Sequence, residues 1–396
     1  MIRKYRSAVI RVIFLSGLLM SQAQAAEPSE TPPTSGPDSS AYSPEPNIQK
    51  LLQDESTNLK ADFPYRINLF KQGQIDKNSA GIRIAETAKQ LLSNKTGLLF
   101  YYEVVTDAMR VPHWHANATE IGTVLEGKMR VTIWEGSGTT KMYTVEKNGT
   151  WIIPKAKLHS LENVGQDKMK FLVVYDSPIA ADRDFLTAWA SLPDTILARA
   201  VGLSESDIAS IKKTTVNKLS AFDPAAAPVK AEAYSLLSNN FKTTKPIYQS
   251  ELGSITRIDP KINANMKAMA LQRTIMKPKV LRIPHWYTSG DVLLFVLRGD
   301  AFFTLMNDDG KVFHTLIHRG DLISIPIGNF HSFLNIGNDD LEVYEGFNRV
   351  DDINEITLMN GVQHFNIGTI VGATGLSKDV IQKINQDKPE SYMVKF

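Results

Sequence analysis

Residues 110–127 read RVPHWHANATEIGTVLEG, and residues 282–299 read RIPHWYTSGDVLLFVLRG. Arg110, His113 and Gly127 recur as Arg282, His285 and Gly299, each 172 positions later. Pro154, His159 and Asn163 recur as Pro326, His331 and Asn335 at the same offset of 172. The chain is therefore a tandem duplication. A period this long corresponds to two whole domains and not to short stacked units. Each unit is large enough to bury a core of its own. Gly202-Leu203-Ser204 matches Gly375-Leu376-Ser377 at an offset of 173, and a helical stretch follows each turn, 205–213 and 378–386.

Working outward, the flanking sequence is of β type. Arg130 to Trp134 and Phe171 to Tyr175 are β-branched and aromatic runs, and Trp151-Ile152-Ile153 runs into Pro154 as a strand enters a turn. Ala301 to Leu305, Leu322 to Ile325 and Leu341 to Tyr344 repeat the pattern. Short strands between Gly, Asn and Asp turns predict an all-β antiparallel barrel or sandwich in each unit. The segments 184–213 and 352–386 read as partly helical, with Asp194 and Ser204 as N-caps. Residues 214–260 are expected to connect the domains and open the second barrel.

His113 and His115 are two apart, which on a strand puts both imidazoles on one face. Glu120 follows five residues on, and His159 comes from a distant strand. Three imidazoles and a carboxylate form a ligand set for a divalent transition metal. Imidazole suits Zn, Cu, Fe or Ni, and the carboxylate keeps Mn and Fe(II) open. Only eight His occur in the chain, so three on this spacing with a Glu between them point to a metal site.

The run His113-x-His115-x4-Glu120-x6-Gly127, followed by Pro154, His159 and Asn163, resembles the two signature motifs of the cupin superfamily. The duplication, with a Trp between the paired ligand positions, is similar to the bicupin family of oxalate decarboxylases. The resemblance covers residues 60–390 and implies two tandem jelly-roll barrels with flanking helices, Mn as the usual metal, and a small carboxylate substrate. Arg110 matches the family's Arg that binds the substrate carboxylate. The family's proton donor, a Glu on a lid, has no counterpart in 176–185; Asp182 is the nearest substitute and Asp184 the next. Two further departures are Ile121-Gly122, where the family has an aromatic residue after the Glu, and Asp107 and Lys279, where it has a Gly. Cupins commonly pair through their sheets, so a homo-oligomer is expected.

In the second unit Tyr287 replaces the second His and Val292 the Glu, so this barrel is expected to be metal-free. Trp114 and Trp286 alternate with ligand positions and should face away from them. With Mn, or Fe or another divalent metal, at the site, three functions remain open: decarboxylation of oxalate or a related acid to formate and CO2, an oxalate oxidase or other cupin oxygenase, and a non-catalytic binding or storage protein.

Hydrophobic content of 43% and charged content of 22% are those of an ordinary globular protein. Four of the 44 basic residues, Arg3, Lys4, Arg6 and Arg11, open the chain, and without them the 42 acidic residues are in slight excess. Nothing here favours nucleic acid. The basic start, the apolar run Val12 to Met20 and Ala23-Gln24-Ala25 read as a cleaved secretory signal, which predicts a periplasmic or secreted protein with no stable membrane insertion. The chain is thus expected to divide into a signal peptide (1–25), a disordered linker (26–48), an N-terminal domain with the metal site (49–215) and a C-terminal domain with the degenerate site (216–396).

Overall fold

The computed structural model describes residues 63–86, 91, 97–212, 217–226, 230–234, 237–267, 269–348, 352–384 and 392–396. The expected signal peptide and linker lie outside these residues. The described fold is all-β with short helices after each barrel. Each repeat contributes two facing antiparallel sheets, and the two barrels match the jelly-roll expectation.

In the first barrel one sheet runs, in spatial order, 149–153, 120–126, 169–175, 98–104, 81–85 and 74–78. The corresponding sheet of the second barrel begins 321–325, 292–298, 341–348, 269–276, so the repeat is visible in topology as well as in sequence. These sheets carry continuously buried runs where half-buried strands would alternate. Leu341–Asn348 is buried at every position, and Val292–Arg298 at its first five. A strand covered on both faces has no reason to alternate. One face packs into its own barrel and the other into the seam between barrels. There Leu293, Phe295 and Tyr344 join the core of the first unit.

The sheets bearing the His motifs face solvent on one side, and they alternate. Ala108–His115 buries Ala108, Arg110, His113 and His115. Arg110 and His113 are three apart and would point to opposite faces of a regular strand. Against Leu158–Asn163 the register passes from His113↔His159 to Arg110↔Leu161, so one extra residue is bulged out between them. That bulge returns Arg110 to the inward face. The second barrel has the same irregularity between Arg282 and His285. Asp107 and Lys279, which precede these strands, hold left-handed backbone with φ of 57° and 58°. Gly127 and Gly299 do so at 86° and 84°, where a side chain would be strained.

Two expectations change. Of residues 214–260, Leu219–Ala221, Glu232–Ala233 and Ser238–Asn240 extend sheets of the first barrel, and only Tyr248–Ser250 and Gly253–Ile258 enter the second. In return Arg66–Asn68 pairs with Asp321–Ile325 of the second barrel. Segments 66–68 and 238–240 are 172 apart, so the repeats exchange strands reciprocally. Asp194 is not an N-cap but the first residue of the helix Asp194–Val201, with Pro193 ahead of it. Ser204 does cap its helix: its Oγ accepts from Asp207 N and its own N donates to Asp207 Oδ2, both at 3.2 Å. No helix among the described residues is long and apolar enough to cross a membrane.

Candidate metal centre

His113 and His115 enter the first barrel from strand Ala108–His115, Glu120 from the start of Glu120–Glu126, and His159 from Leu158–Asn163. All four are buried, and one ligand atom from each lies within 4.8 Å of the others. Metal–donor bonds of about 2.0–2.6 Å place donors up to about twice that distance apart, so the group fits a single ion.

The imidazoles are oriented from behind. His113 Nδ1 donates to Val111 O at 2.7 Å and His159 Nδ1 to Lys157 O at 2.9 Å, which directs both Nε2 atoms inward as acceptors. His115 Nε2 lies 3.1 Å from Glu120 Oε2. His159 Nε2 lies 3.4 Å from the same oxygen without the geometry of a hydrogen bond, and is otherwise an unsatisfied buried atom. Orphaned imidazole nitrogens beside a carboxylate are what a cation would satisfy.

Glu120 is itself fastened. The Trp151 indole N–H donates to Oε1 at 2.9 Å, and the Tyr175 hydroxyl donates to Oε2 at 3.4 Å. Burial alone would raise the Glu120 carboxyl, but His159 and His115 outweigh it and hold the group well below the usual carboxylate range. Burial, then Arg110 and the neighbouring imidazoles, push His113 well down, so it is a neutral ligand. Trp151 and Tyr175 were not singled out in the sequence. They lie 31 and 55 positions from Glu120, and their only local signal is an aromatic in an inward-facing strand.

At Ile121-Gly122, which departs from the family pattern, it is the glycine that touches the surroundings of Glu120. Ile121 alternates to the face opposite Glu120. Gly122 shares the Glu120 face and pairs across the strand with Trp151, whose ring occupies the space a side chain would take.

Arg110 and Asp182 lie together beside this group. The Arg110 guanidinium donates to Asp182 at 2.6 Å and to Asp184 at 2.8 Å. Lys218 Nζ completes the cluster at 3.1 Å from Asp182 and 2.6 Å from Asp184. Burial would raise Asp182, but Arg110 and then Lys218 and His115 hold it below its usual value, so in this arrangement it is a carboxylate. The strand Asp182–Asp184 pairs with His115, Trp114 and His113, which sets both aspartates against the ligand strand. The second barrel repeats the contact: Arg282 pairs with Glu355 on the strand Glu355–Thr357.

Trp114 faces outward as expected, and with Trp134, Phe185 and Leu192 it lines an apolar groove on the barrel exterior. In the second barrel Tyr287 donates to Glu345 at 3.1 Å, and Asp291 accepts from Ile327 N in a loop. Among the described residues, His113, His115, Glu120 and His159 are the one group of this kind.

Tandem jelly-roll barrels, one of them holding a buried three-His, one-Glu group, define a bicupin with a metal-capable site. The chain belongs to the cupin family, which it matches over residues 67–209 and 239–382. It is similar to the oxalate decarboxylase OxdC of Bacillus subtilis (strain 168), 27% identical over 166 residues, which are 41% of this chain and 43% of that protein. The matched stretch is thus less than half of that relative. The structure superposes on a deletion mutant of Bacillus subtilis OxdC with a TM-score of 0.74 at 20% identity, covering 84% of this chain and 88% of that one. A second structure of that enzyme, described for its Mn(II) centers, gives a TM-score of 0.73 at 19% identity over 84% and 89% of the two chains. At such identity the likeness establishes the fold.

Proposed function

We propose that this protein is an exported, metal-dependent enzyme that decarboxylates oxalate, or a related small carboxylic acid, to formate and CO2. The observation that carries the reading is the buried His113–His115–Glu120–His159 group, with the buried guanidinium of Arg110 turned to the same face by the bulge. Mn is the metal proposed, on the similarity to the decarboxylase with Mn(II) centers; the donor set also suits Fe or another divalent ion. A bound divalent ion supplies Lewis acidity toward a substrate carboxylate.

Arg110 binds the carboxylate of the substrate, which displaces Asp182 from the guanidinium. Once released from that cation, Asp182 regains a higher proton affinity. In hydrogen oxalate the C–C bond breaks, CO2 leaves, and the carbon that keeps the electron pair takes the proton. In this reading Asp182 takes that proton from the substrate carboxyl and returns it to the carbon. Trp151 and Tyr175 keep Glu120 oriented throughout.

The second reading is oxidative: oxalate, O2 and two protons give two CO2 and hydrogen peroxide, and no proton goes to carbon. The ion pairs that keep Asp182 deprotonated favour it.

Carbon-13 NMR of labelled oxalate with the Mn-loaded mature protein, begun at Ala26, separates the outcomes. Formate above a His115→Ala control supports decarboxylation. CO2 and peroxide without formate select the oxidase. Unchanged oxalate in metal-loaded protein refutes both and leaves a binding protein. Export rests on the Ala23-Gln24-Ala25 pattern, and the mature N-terminus read by mass spectrometry is expected to be Ala26. A homo-oligomer is proposed on the exposed Trp134 and Phe185 of the outer groove, to be checked by light scattering.

A further inference from the structure

A cavity of about 390 Å³ lies in the seam between the barrels, at the end of strand Glu120–Glu126 opposite the metal ligand. Six residues of extended strand separate the two places by roughly 20 Å. The cavity is built from both repeats: Lys147 and Arg319, which line it, are 172 apart, and so are Leu125 and Leu297.

Its charge is unbalanced. Five cations line it, against the two carboxylates Glu126 and Glu342. Lys170 is paired with Glu126 at 2.8 Å. Glu342 is shared by Arg273 at 2.7 Å and Arg298 at 3.0 Å. Lys147 and Arg319 have no acidic partner within ion-pair distance among the described residues. The Arg319 guanidinium instead lies 5.2 Å from the Phe70 ring centre. Gathering like charges around a small concavity costs free energy unless something of opposite sign enters it.

We propose that this seam cavity binds a small multivalent oxyanion, a dicarboxylate or a phosphate, with Lys147 and Arg319 as its principal partners. Guanidinium and ammonium groups from opposite walls suit an anion with oxygens on several sides. The volume holds a small molecule and not a polymer. Because each wall belongs to a different repeat, the bound anion ties one barrel to the other. The site is independent of the metal centre.

The test is calorimetric titration of the full chain with inorganic phosphate and, separately, with succinate, at constant ionic strength. Saturable binding near one equivalent per chain is expected, with the tighter of the two anions identifying the class. Lys147→Gln/Arg319→Gln should weaken it about tenfold or more, while the charge-matched surface pair Lys242→Gln/Lys245→Gln leaves it unchanged. Binding should persist in His115→Ala. Absence of saturable binding of either anion, equal affinity in the double variant, or loss of binding in His115→Ala would overturn the proposal.

Discussion

Gly122→Ala adds a single methyl group, and the structure fixes what it meets. Gly122 pairs with Trp151 on one side and Val173 on the other. A Cβ there falls well inside contact distance of Cζ2 and Cη2 of Trp151, and 2.6 Å from the backbone oxygen of Leu172. The carbonyl belongs to a paired strand and cannot retreat. The indole is 1% exposed, packed edge-on to Phe171, and can move only by giving up its hydrogen bond to Glu120. Overpacking of this kind costs about 1–3 kcal/mol. Losing a hydrogen bond to a buried carboxylate adds about 1.5–3 kcal/mol. Restricting the unfolded chain returns about 0.4–1 kcal/mol. The net expectation is a destabilisation of about 2–5 kcal/mol, from the same terms. Metal affinity should fall about 10- to 100-fold, as it does when a group orienting a ligand is lost. Urea denaturation and a competition titration with a chromophoric chelator measure the two effects. A cycle with Trp151→Leu isolates the indole: the methyl should cost at least about 1 kcal/mol less in the Leu background, since only the carbonyl clash remains. Wild-type stability and affinity in Gly122→Ala, or an equal cost in both backgrounds, would refute the reasoning.

Trp151→Phe keeps the bulk but removes the donor to Glu120, so metal affinity should drop about 10- to 100-fold with the fold retained by circular dichroism. Metal analysis by inductively coupled plasma mass spectrometry should find one equivalent per chain, lost in His115→Ala and unchanged in His285→Ala; two equivalents in wild type would contradict the reading of the second barrel. Burial holds His331 down at about 4 and His285 well below 6.5, so the stability from keeping them neutral is present above about 6.5 and is lost as pH falls toward 4. For His331 that window is worth about 3 kcal/mol. Urea midpoints at pH 7 and 4.5 should differ accordingly, and less so in His331→Phe, whereas parallel pH profiles would dismiss the effect. Glu345, raised by burial, works in the opposite sense, contributing stability below about 4.5 that is lost as pH rises through its folded value.

What the sequence made legible follows from period and spacing. The 172-residue offset revealed two equivalent units, and the two-residue step from His113 to His115 put both rings on one face. Pairings between distant segments left weaker traces. Arg66-Ile67-Asn68 and Ser238-Asn239-Asn240 are too short and polar to show a strand period, so the reciprocal exchange was invisible until the sheets were assembled. The bulge beside Arg110 cannot be counted from one strand, because it exists only relative to the partner's register. Asp182 is only the nearest substitute for the family's proton donor in a segment, 176–185, that lacks the Glu. Its pairing with Arg110 and Lys218, 72 and 36 positions away, makes it a carboxylate until something displaces it.

The two barrels show what turns a pair of histidines into a metal centre. His285 and His331 repeat the geometry of His113 and His159: ring centres are 4.1 Å apart in both pairs, at 54° and 53°. Their Nδ1 atoms are likewise donated to carbonyls two residues upstream, Ile283 O at 2.8 Å and Asn329 O at 2.9 Å. The imidazoles are therefore equally well aimed, and the difference lies in the acid. Glu120 sits beside imidazoles that favour its charge, and is braced from behind by Trp151 in the space Gly122 leaves open. Val292 and Leu294 stand at the corresponding positions of the second barrel, and they close that space with aliphatic side chains. A buried acid there, Glu345, enters from another strand. It accepts from the neutral donors Gln272 at 2.6 Å, Thr274 at 3.0 Å and Tyr287 at 3.1 Å. Burial raises its carboxyl, and its hydrogen-bonding capacity is used within the core. Glu120 faces two imidazoles, whereas Glu345 is engaged by three side-chain donors of its own core. The second barrel thus lacks both the acid at the position of Glu120 and the second histidine, replaced by Val292 and Tyr287.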